Sequence, residues 1–298
     1  MERETLKFYL TRPSLYFSGI EIDYSKAKYV IIGVPFDSTS SFRPGSRFAP
    51  TSIRNISLEM ESYDVETGID FDSLLVHDAG DLSFVIDPKE LTKKLSAVIK
   101  EIIKNEKIPV IIGGEHTLTY GSILGTSEIK DVTLVFMDAH LDLRDQYPIG
   151  ANLTHATVLR RCVEKIGCNK VVVIGARAVS PEEVSYAREC GLMVVYSHEI
   201  RKKIKQLLNK LNGGKVYLSI DIDVIDPGLA PGVSNPEPLG LSLRTILKIL
   251  KNIILKNKLL GVDIVEVNPL YDRAKITSTY ATLLIKKIIL YNEIKNGF

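Results

Sequence analysis

Tryptophan is absent from these 298 residues, and glutamine stands only at positions 146 and 206. Isoleucine and lysine abound instead, which fits either a heat-adapted protein or a biased codon usage. Cysteine is scarce. Cys162, Cys168 and Cys190 are odd in number and lack zinc-site spacing, so a reducing compartment, the cytoplasm, is expected. Neither sign of charge dominates: Lys+Arg is 38 against Asp+Glu 36, so net charge implies no polyanion partner. The basic runs RKKIKQ and IKKII lack interleaved exposed aromatics and read as solvated helix faces, which disfavours nucleic-acid binding. No apolar run reaches bilayer length, and even LRTILKILKNIILKNKLL is broken by lysines at helical intervals. The opening MERETLKFYL has no continuous signal-peptide core. Low-complexity segments, clear internal repeats and long Ser/Gly/Pro linkers are all missing, so a single domain over 1–298 is expected.

What is present is ordinary for a folded chain: hydrophobic residues are 45% and charged residues 25%, with length enough for a sizeable core. Short apolar runs alternate with amphipathic stretches. KYVIIGVPF, SLLVHDAG, IPVIIGG, TLVFMDAH, KVVVIGA, LMVVYS, KVYLSIDID and LLGVDIVEV read as strands, most of them β-branched and covered on both faces. Between them, PKELTKKLSAVIKEIIKNEK opens on Asp87 and Pro88 as a capped helix. PEEVSYARECG stops at Gly191, and STYATLLIKKIILYNEIK reads as a terminal helix. This βα alternation predicts an α/β fold with a mostly parallel, doubly wound sheet.

In such sheets ligands gather at the carboxyl ends of the strands, and there the polar residues of this chain cluster. GGEHT follows IPVII, DAHLD follows TLVFM, DIDVIDP follows VYLSI and EVNP follows VDIV. In an extended segment residues two apart point the same way. Asp138, His140 and Asp142 are thus expected to converge, joined by Asp221 and Asp223 from a second strand end and His116 from a third. Carboxylates packed so closely repel unless a cation lies among them. Four Asp and two His are too many for one tetrahedral zinc with an open position. They suit two cations sharing bridging carboxylates. The thiolate-free set favours Mn²⁺, with Co²⁺, Ni²⁺ and Fe²⁺ as alternatives.

Blander readings hold elsewhere. Asp81, Asp226 and Asp272 read as caps or turn residues, and His77 and His198 as surface or satisfied core. Of only five histidines, however, His116, His140 and His155 all fall in the acidic strand-end segments. Gly113 and Gly114 are expected to let the chain turn sharply before His116. No Lys-Ser/Thr follows, so GGEHT is no phosphate loop.

GVPFDSTSSFRPGSRFAPTSIR, IGGEHT, FMDAHLDLRD, SIDIDVIDPGLAPG and VDIVEVNP, in this order, resemble the successive motifs of the ureohydrolases, the arginase and agmatinase family. The resemblance spans nearly the whole chain. It implies a three-layer α/β/α sandwich and two Mn²⁺ per subunit, one held by His116, Asp138, Asp142 and Asp221. The second is held by His140, Asp138, Asp221 and Asp223. It further implies that Glu266 binds the guanidinium, that His155 shuttles protons and that Asp142 aims the attacking water, in a homo-oligomer, a trimer or hexamer. Within the family, THATVLRR looks more like agmatinases than arginases. Ala151 stands where arginases carry a serine that helps hold an α-carboxylate, and 145–157 offers no cationic clamp. Agmatine, cleaved to putrescine and urea, is therefore the expected substrate; aminopropylagmatine, guanidinobutyrate or arginine is the alternative. Where agmatinases commonly read APGTGTPEPGG this chain reads APGVSNPEPLG, so Val233, Ser234, Asn235 and Leu239 are expected to reshape the pocket. A non-catalytic homologue would be expected to lose ligands, and none is missing.

Overall fold

A computed structural model describes residues 4–297; the first three residues of the MERETLKFYL stretch lie outside it. The strands, in chain order, are β1 (Leu10–Thr11), β2 (Tyr29–Gly33), β3 (Tyr63–Asp64), β4 (Ile69–Asp70), β5 (Val76–Leu82), β6 (Ile108–Ile112), β7 (Val132–Met137), β8 (Val171–Ile174), β9 (Met193–Val195), β10 (Lys215–Asp221) and β11 (Lys258–Val265). Nine of them form one sheet in the order β1-β5-β2-β6-β11-β10-β7-β8-β9, while β3 and β4 pair apart. Every neighbouring pair in the large sheet is parallel except β1 with β5. This is the mostly parallel sheet the βα alternation predicts; the short antiparallel edge β1 is an addition.

Helices cover both faces. They are α1 (Glu4–Tyr9), α2 (Ala49–Glu59), α3 (Pro88–Lys104), α4 (Leu118–Thr126), α5 (Val158–Ile166), α6 (Pro181–Glu189), α7 (Ile200–Leu211), α8 (Leu243–Lys256) and α9 (Ile276–Lys295). Side chains of successive strand residues alternate between the faces. Tyr29, Ile31, Val110, Ile112 and Val135 join the core under α2, α7, α8 and α9. Val30, Ile32 and Ile111 join that under α3, and Leu134 and Phe136 that under α5. Residues apolar on both alternations make the strands continuously hydrophobic, as buried parallel strands require. The product is a three-layer α/β/α sandwich.

Local signals act as expected at several ends. The Asp87 carboxylate caps α3 by accepting from the Lys89 N–H. Ser180 and Glu183 form a reciprocal capping box on α6, which ends at Gly191 in the left-handed region with φ of +72°. Two expectations fail. Asp81 neither caps nor turns: it lies within β5 and pairs with Arg54 at 2.6 Å. Lys286 and Lys287 of IKKII are buried, not solvated; Lys287 is held by Asp64 at 2.6 Å and Glu66 at 2.7 Å, because α9 packs between α2 and α8 and has little free face. Among the described residues no helix is long and apolar enough to cross a membrane.

Candidate active site

The four polar strand ends belong to β6, β11, β10 and β7, which are consecutive in the sheet. Chain order hides this, since β11 returns between β6 and β10. At the end of β6, Gly113 and Gly114 are needed for close approach and not for a left-handed turn. A Cβ on Gly114 would stand 1.9 Å from the Phe36 carbonyl oxygen, and one on Gly113 2.7 Å from Val265. His116 follows, fully buried, its ring stacked on Phe136 with centroids 4.4 Å apart. Its Nε2 lies 2.9 Å from Ser219 Oγ. Ser219 in turn donates to Asp263 at 2.6 Å, and Thr119 donates to the same oxygen. The serine proton is thus spent on a carboxylate, so Ser219 accepts from Nε2–H and leaves Nδ1 for the cluster.

That Nδ1 sits 3.0 Å from Asp138, 3.3 Å from Asp221 and 3.6 Å from Asp142. His140 Nδ1 sits 3.0 Å from Asp223 and 3.4 Å from the other oxygen of Asp138. Asp138 therefore faces one histidine with each oxygen. Two donor groups result, His116 with Asp138 and Asp142, and Asp138 with His140 and Asp223. The convergence is reached differently from the extended geometry expected. β7 stops at Met137, Asp142 is left-handed with φ of +50°, and Asp223 lies in a 3₁₀ turn where its N–H donates to Asp221.

Electrostatics mark the same spot. Burial, then the charge of Asp138, pushes the Asp142 carboxyl well above its usual range; burial, then Asp223 and Asp138, does so for Asp221. Burial opposes charge on His116 and His140, yet the adjoining acids raise both well above the ordinary histidine value. Protons gather where a cation would relieve the same repulsion. His116 Nδ1 and Asp138 Oδ2 are buried without a hydrogen-bond partner: although close, they are not aligned to share a proton. Donors aimed at a common point, all imidazole or carboxylate, fit a hard or borderline divalent cation.

The cluster floors a cavity of about 450 Å³, a size suited to a small molecule. Glu266, left-handed with φ of +62°, lines it and accepts the His116 N–H at 2.8 Å. Burial, then the charge of Glu115, pushes its carboxyl up to about 8. His155 opens a 3₁₀ turn, with Thr39 Oγ1 3.2 Å from its Nδ1 and Ser41 Oγ 3.2 Å from its Nε2. Burial, followed by the charges of His140 and His116, lowers it to about 4, so the ring is neutral.

Other expected residues fall outside the cavity. Asp226 holds a turn through the N–H groups of Gly228 and Gly240. Asp272 accepts from Thr277 and Ser278 at the start of α9. His77 meets the Ile22 carbonyl, and His198 is exposed. Of the four atypical positions only Asn235 lines the cavity; Val233 and Ser234 are buried, and Leu239 is 81% exposed. Several lining residues are not marked by the sequence, Arg144 and Glu237 among them. Arg144 stands two residues after the DAHLD segment, just before the cation-free 145–157 stretch, and stacks over Tyr147. Glu237 sits between two prolines and reaches within 3.7 Å of His140 Nε2. Arg177 fixes its backbone by donating to the carbonyls of Glu237 and Pro238.

Residues 27–291 match the sequence profile of the Arginase family. The chain is 36% identical over 250 residues to an agmatinase of Pyrococcus horikoshii, covering 83% of this chain and 86% of that one. It is 34% identical over 265 residues to an N(1)-aminopropylagmatine ureohydrolase of Thermococcus kodakarensis, covering 88% and 90%. The crystal structure of agmatine ureohydrolase of Thermoplasma volcanium superimposes with a TM-score of 0.86 at 36% identity, covering 93% of this chain and 94% of that one.

Proposed function

The chain belongs to the arginase family and is a ureohydrolase, and from that premise we propose that it hydrolyses agmatine to putrescine and urea with two Mn²⁺ per subunit. His116, Asp138, Asp142 and Asp221 would hold one ion, and His140, Asp138, Asp221 and Asp223 the other. When bound, such cations supply a water acidified from a pKa of 15.7 to roughly 7, a nucleophile strong enough for a resonance-stabilised guanidinium. The protein does the rest. The Glu266 carboxylate takes the guanidinium through charge-assisted hydrogen bonds and fixes its plane. Asp142 accepts a hydrogen bond from the attacking water and aims it. His155, neutral and at the cavity wall, accepts a proton from the reacting centre and passes it on to the departing amine. The chain works as one domain over 1–298, in the cytoplasm, as a homo-oligomer that supplies putrescine for polyamine synthesis.

The observation that carries the choice of substrate is the pair Glu266 and Glu237 on one cavity. Agmatine is cationic at both ends, and Glu237 gives its distal ammonium a partner. Similarity to an agmatinase supports the same choice, and similarity to an aminopropylagmatine ureohydrolase extends it to aminopropylagmatine. A guanidino acid is the second reading, favoured by Arg144, whose guanidinium lines the cavity. Urea release with Mn²⁺ should be measured for agmatine, aminopropylagmatine, guanidinobutyrate and arginine. Agmatine is expected to exceed arginine at least about tenfold in kcat/KM, equivalent to roughly 1.4 kcal/mol of differential transition-state binding. Efficient turnover of arginine or guanidinobutyrate with little from agmatine would overturn the assignment, and Arg144→Ala would then abolish it.

A further inference from the structure

Glu115 has no part in the chemistry above. It is 0% exposed and does not line the cavity, yet it lies beside His116 at the heart of the site. Three donors converge on it. The Thr39 N–H reaches Oε2 at 2.8 Å, while the hydroxyls of Thr39 and Thr117 both reach Oε1 at 2.5 Å. A backbone N–H and two hydroxyls all point at it, the hydrogen-bond geometry of a carboxylate that accepts only, although burial raises its carboxyl to about 7. A hydroxyl has one proton to give, and Thr39 gives its own to Glu115. Its oxygen then has two lone pairs left. One accepts the His155 backbone N–H at 3.1 Å; the other faces His155 Nδ1 at 3.2 Å. Two oxygen lone pairs and a bare ring nitrogen would repel, so Nδ1 must carry the hydrogen.

We propose that Glu115, acting through Thr39, holds His155 as the Nδ1–H tautomer and so presents Nε2 to the cavity as a bare proton acceptor. The inference rests on the role proposed for His155. Glu115 and Thr39 are positioning residues: neither touches substrate, and both act by fixing which ring nitrogen is free. Ser41 Oγ, 3.2 Å from Nε2, fits this arrangement as the donor that Nε2 accepts until a substrate or water replaces it. The arrangement follows the general logic by which a carboxylate fixes a catalytic imidazole, with a threonine hydroxyl interposed. It also explains why one buried and two half-buried side chains from separate segments, the end of β6, the 37–40 loop and the turn at 154–157, meet at one oxygen.

The test reads the tautomer directly. Full-length protein carrying ¹⁵N-labelled histidine is studied above neutral pH by long-range ¹H–¹⁵N correlation, with and without Zn²⁺ as a diamagnetic cation. The His155 signals are those missing from His155→Asn. The wild type should show Nδ1 protonated and Nε2 bare. Thr39→Val keeps the shape of the side chain and removes the hydroxyl. It should move His155 to the Nε2–H form and lower kcat about tenfold or more, a part of the 10²–10⁴-fold that a general acid–base group contributes. KM and metal content should stay unchanged, and Thr39→Ser should restore both tautomer and turnover. Glu115→Gln should shift the tautomer in the same direction; where it does not fold, the threonine pair decides. A wild-type His155 protonated on Nε2, or a Thr39→Val spectrum and kcat identical to wild type, overturns the proposal. If His155→Asn leaves urea release unchanged, the catalytic role of His155 falls, while the spectra still decide whether Glu115 and Thr39 set the ring.

Discussion

Asp142 and Glu266 are both left-handed, with φ of +50° and +62°, a conformation that costs an ordinary L-residue about 1–2 kcal/mol. Such strain persists where the surroundings enforce it, and it gathers at functional sites. It is also what hid the geometry. The alternation of Asp138, His140 and Asp142 was legible as a cluster of donors, but the local backbone was not, because nothing in a sequence says that an aspartate will leave the extended region. Thr39 and Glu115 were illegible for another reason: a threonine in a loop and a glutamate before a helix are ordinary until folding brings them together. For Glu266 the proposed anchoring role gives a clear expectation. Glu266→Gln keeps the volume and loses the charge, so urea release should fall on the order of 10²-fold or more, as for loss of a preorganised electrostatic group. Metal content by elemental analysis should hold. Loss of metal with unchanged residual chemistry would mean that Glu266 supports the cluster through its bond to the His116 N–H and does not bind guanidinium.

At the level of elements, the eight strand segments and the helices α3, α6 and α9 were readable because buried parallel strands are apolar on both faces and because Asp87, Pro88 and Gly191 punctuate the helices. The order β6-β11-β10-β7 was not, since adjacency depends on where each crossover helix packs. One tie between layers was also misread. Asp81 was expected to act locally, yet Arg54 of α2 binds it and also forks onto both oxygens of Asp78, at 2.8 and 2.9 Å. Arg54 further donates to the Gly80 carbonyl. This joins α2 to β5, and α2 ends the segment that carries Thr39 and Ser41 to the cavity. Removing one partner of a buried ion pair leaves the other unpaired at a cost of about 3–5 kcal/mol. Arg54→Ala should therefore lower the denaturant midpoint by that equivalent. Arg54→Lys should recover only part, since an ammonium cannot reproduce the fork. A midpoint within error of wild type would show that α2 is held by apolar packing alone.

Across the whole molecule, the fold buries acids and histidines that carry a stability cost unless protons or cations neutralise them. Glu266 is raised from 4.5 to about 8, and Asp142 and Asp221 are raised well above 3.8. A raised folded pKa favours the native state fully below the unfolded value, and that contribution is lost as pH rises through the folded value. Glu115, raised by burial to about 7, and His116 and His140, raised above 6.5, act in the same direction; His155, lowered to about 4, opposes them, as does Asp138, which His116 and His140 lower against its burial, though only at acid pH. The metal-free protein should therefore become less stable from mildly acidic pH up to about 8. A cation binds only the deprotonated ligands, so its effect has the opposite trend. Thermal unfolding in chelator and in saturating Mn²⁺, across this range, should give midpoints that diverge as pH rises. Each site filled at a hundred times its Kd adds about 2.7 kcal/mol, and the binding isotherm should saturate at two ions per chain. A single ion at saturation would rule out the shared-carboxylate cluster. A cation-induced stabilisation that ignores pH would mean that Asp142, Asp221, His116 and His140 do not release protons on binding, and hence that they are not the ligands.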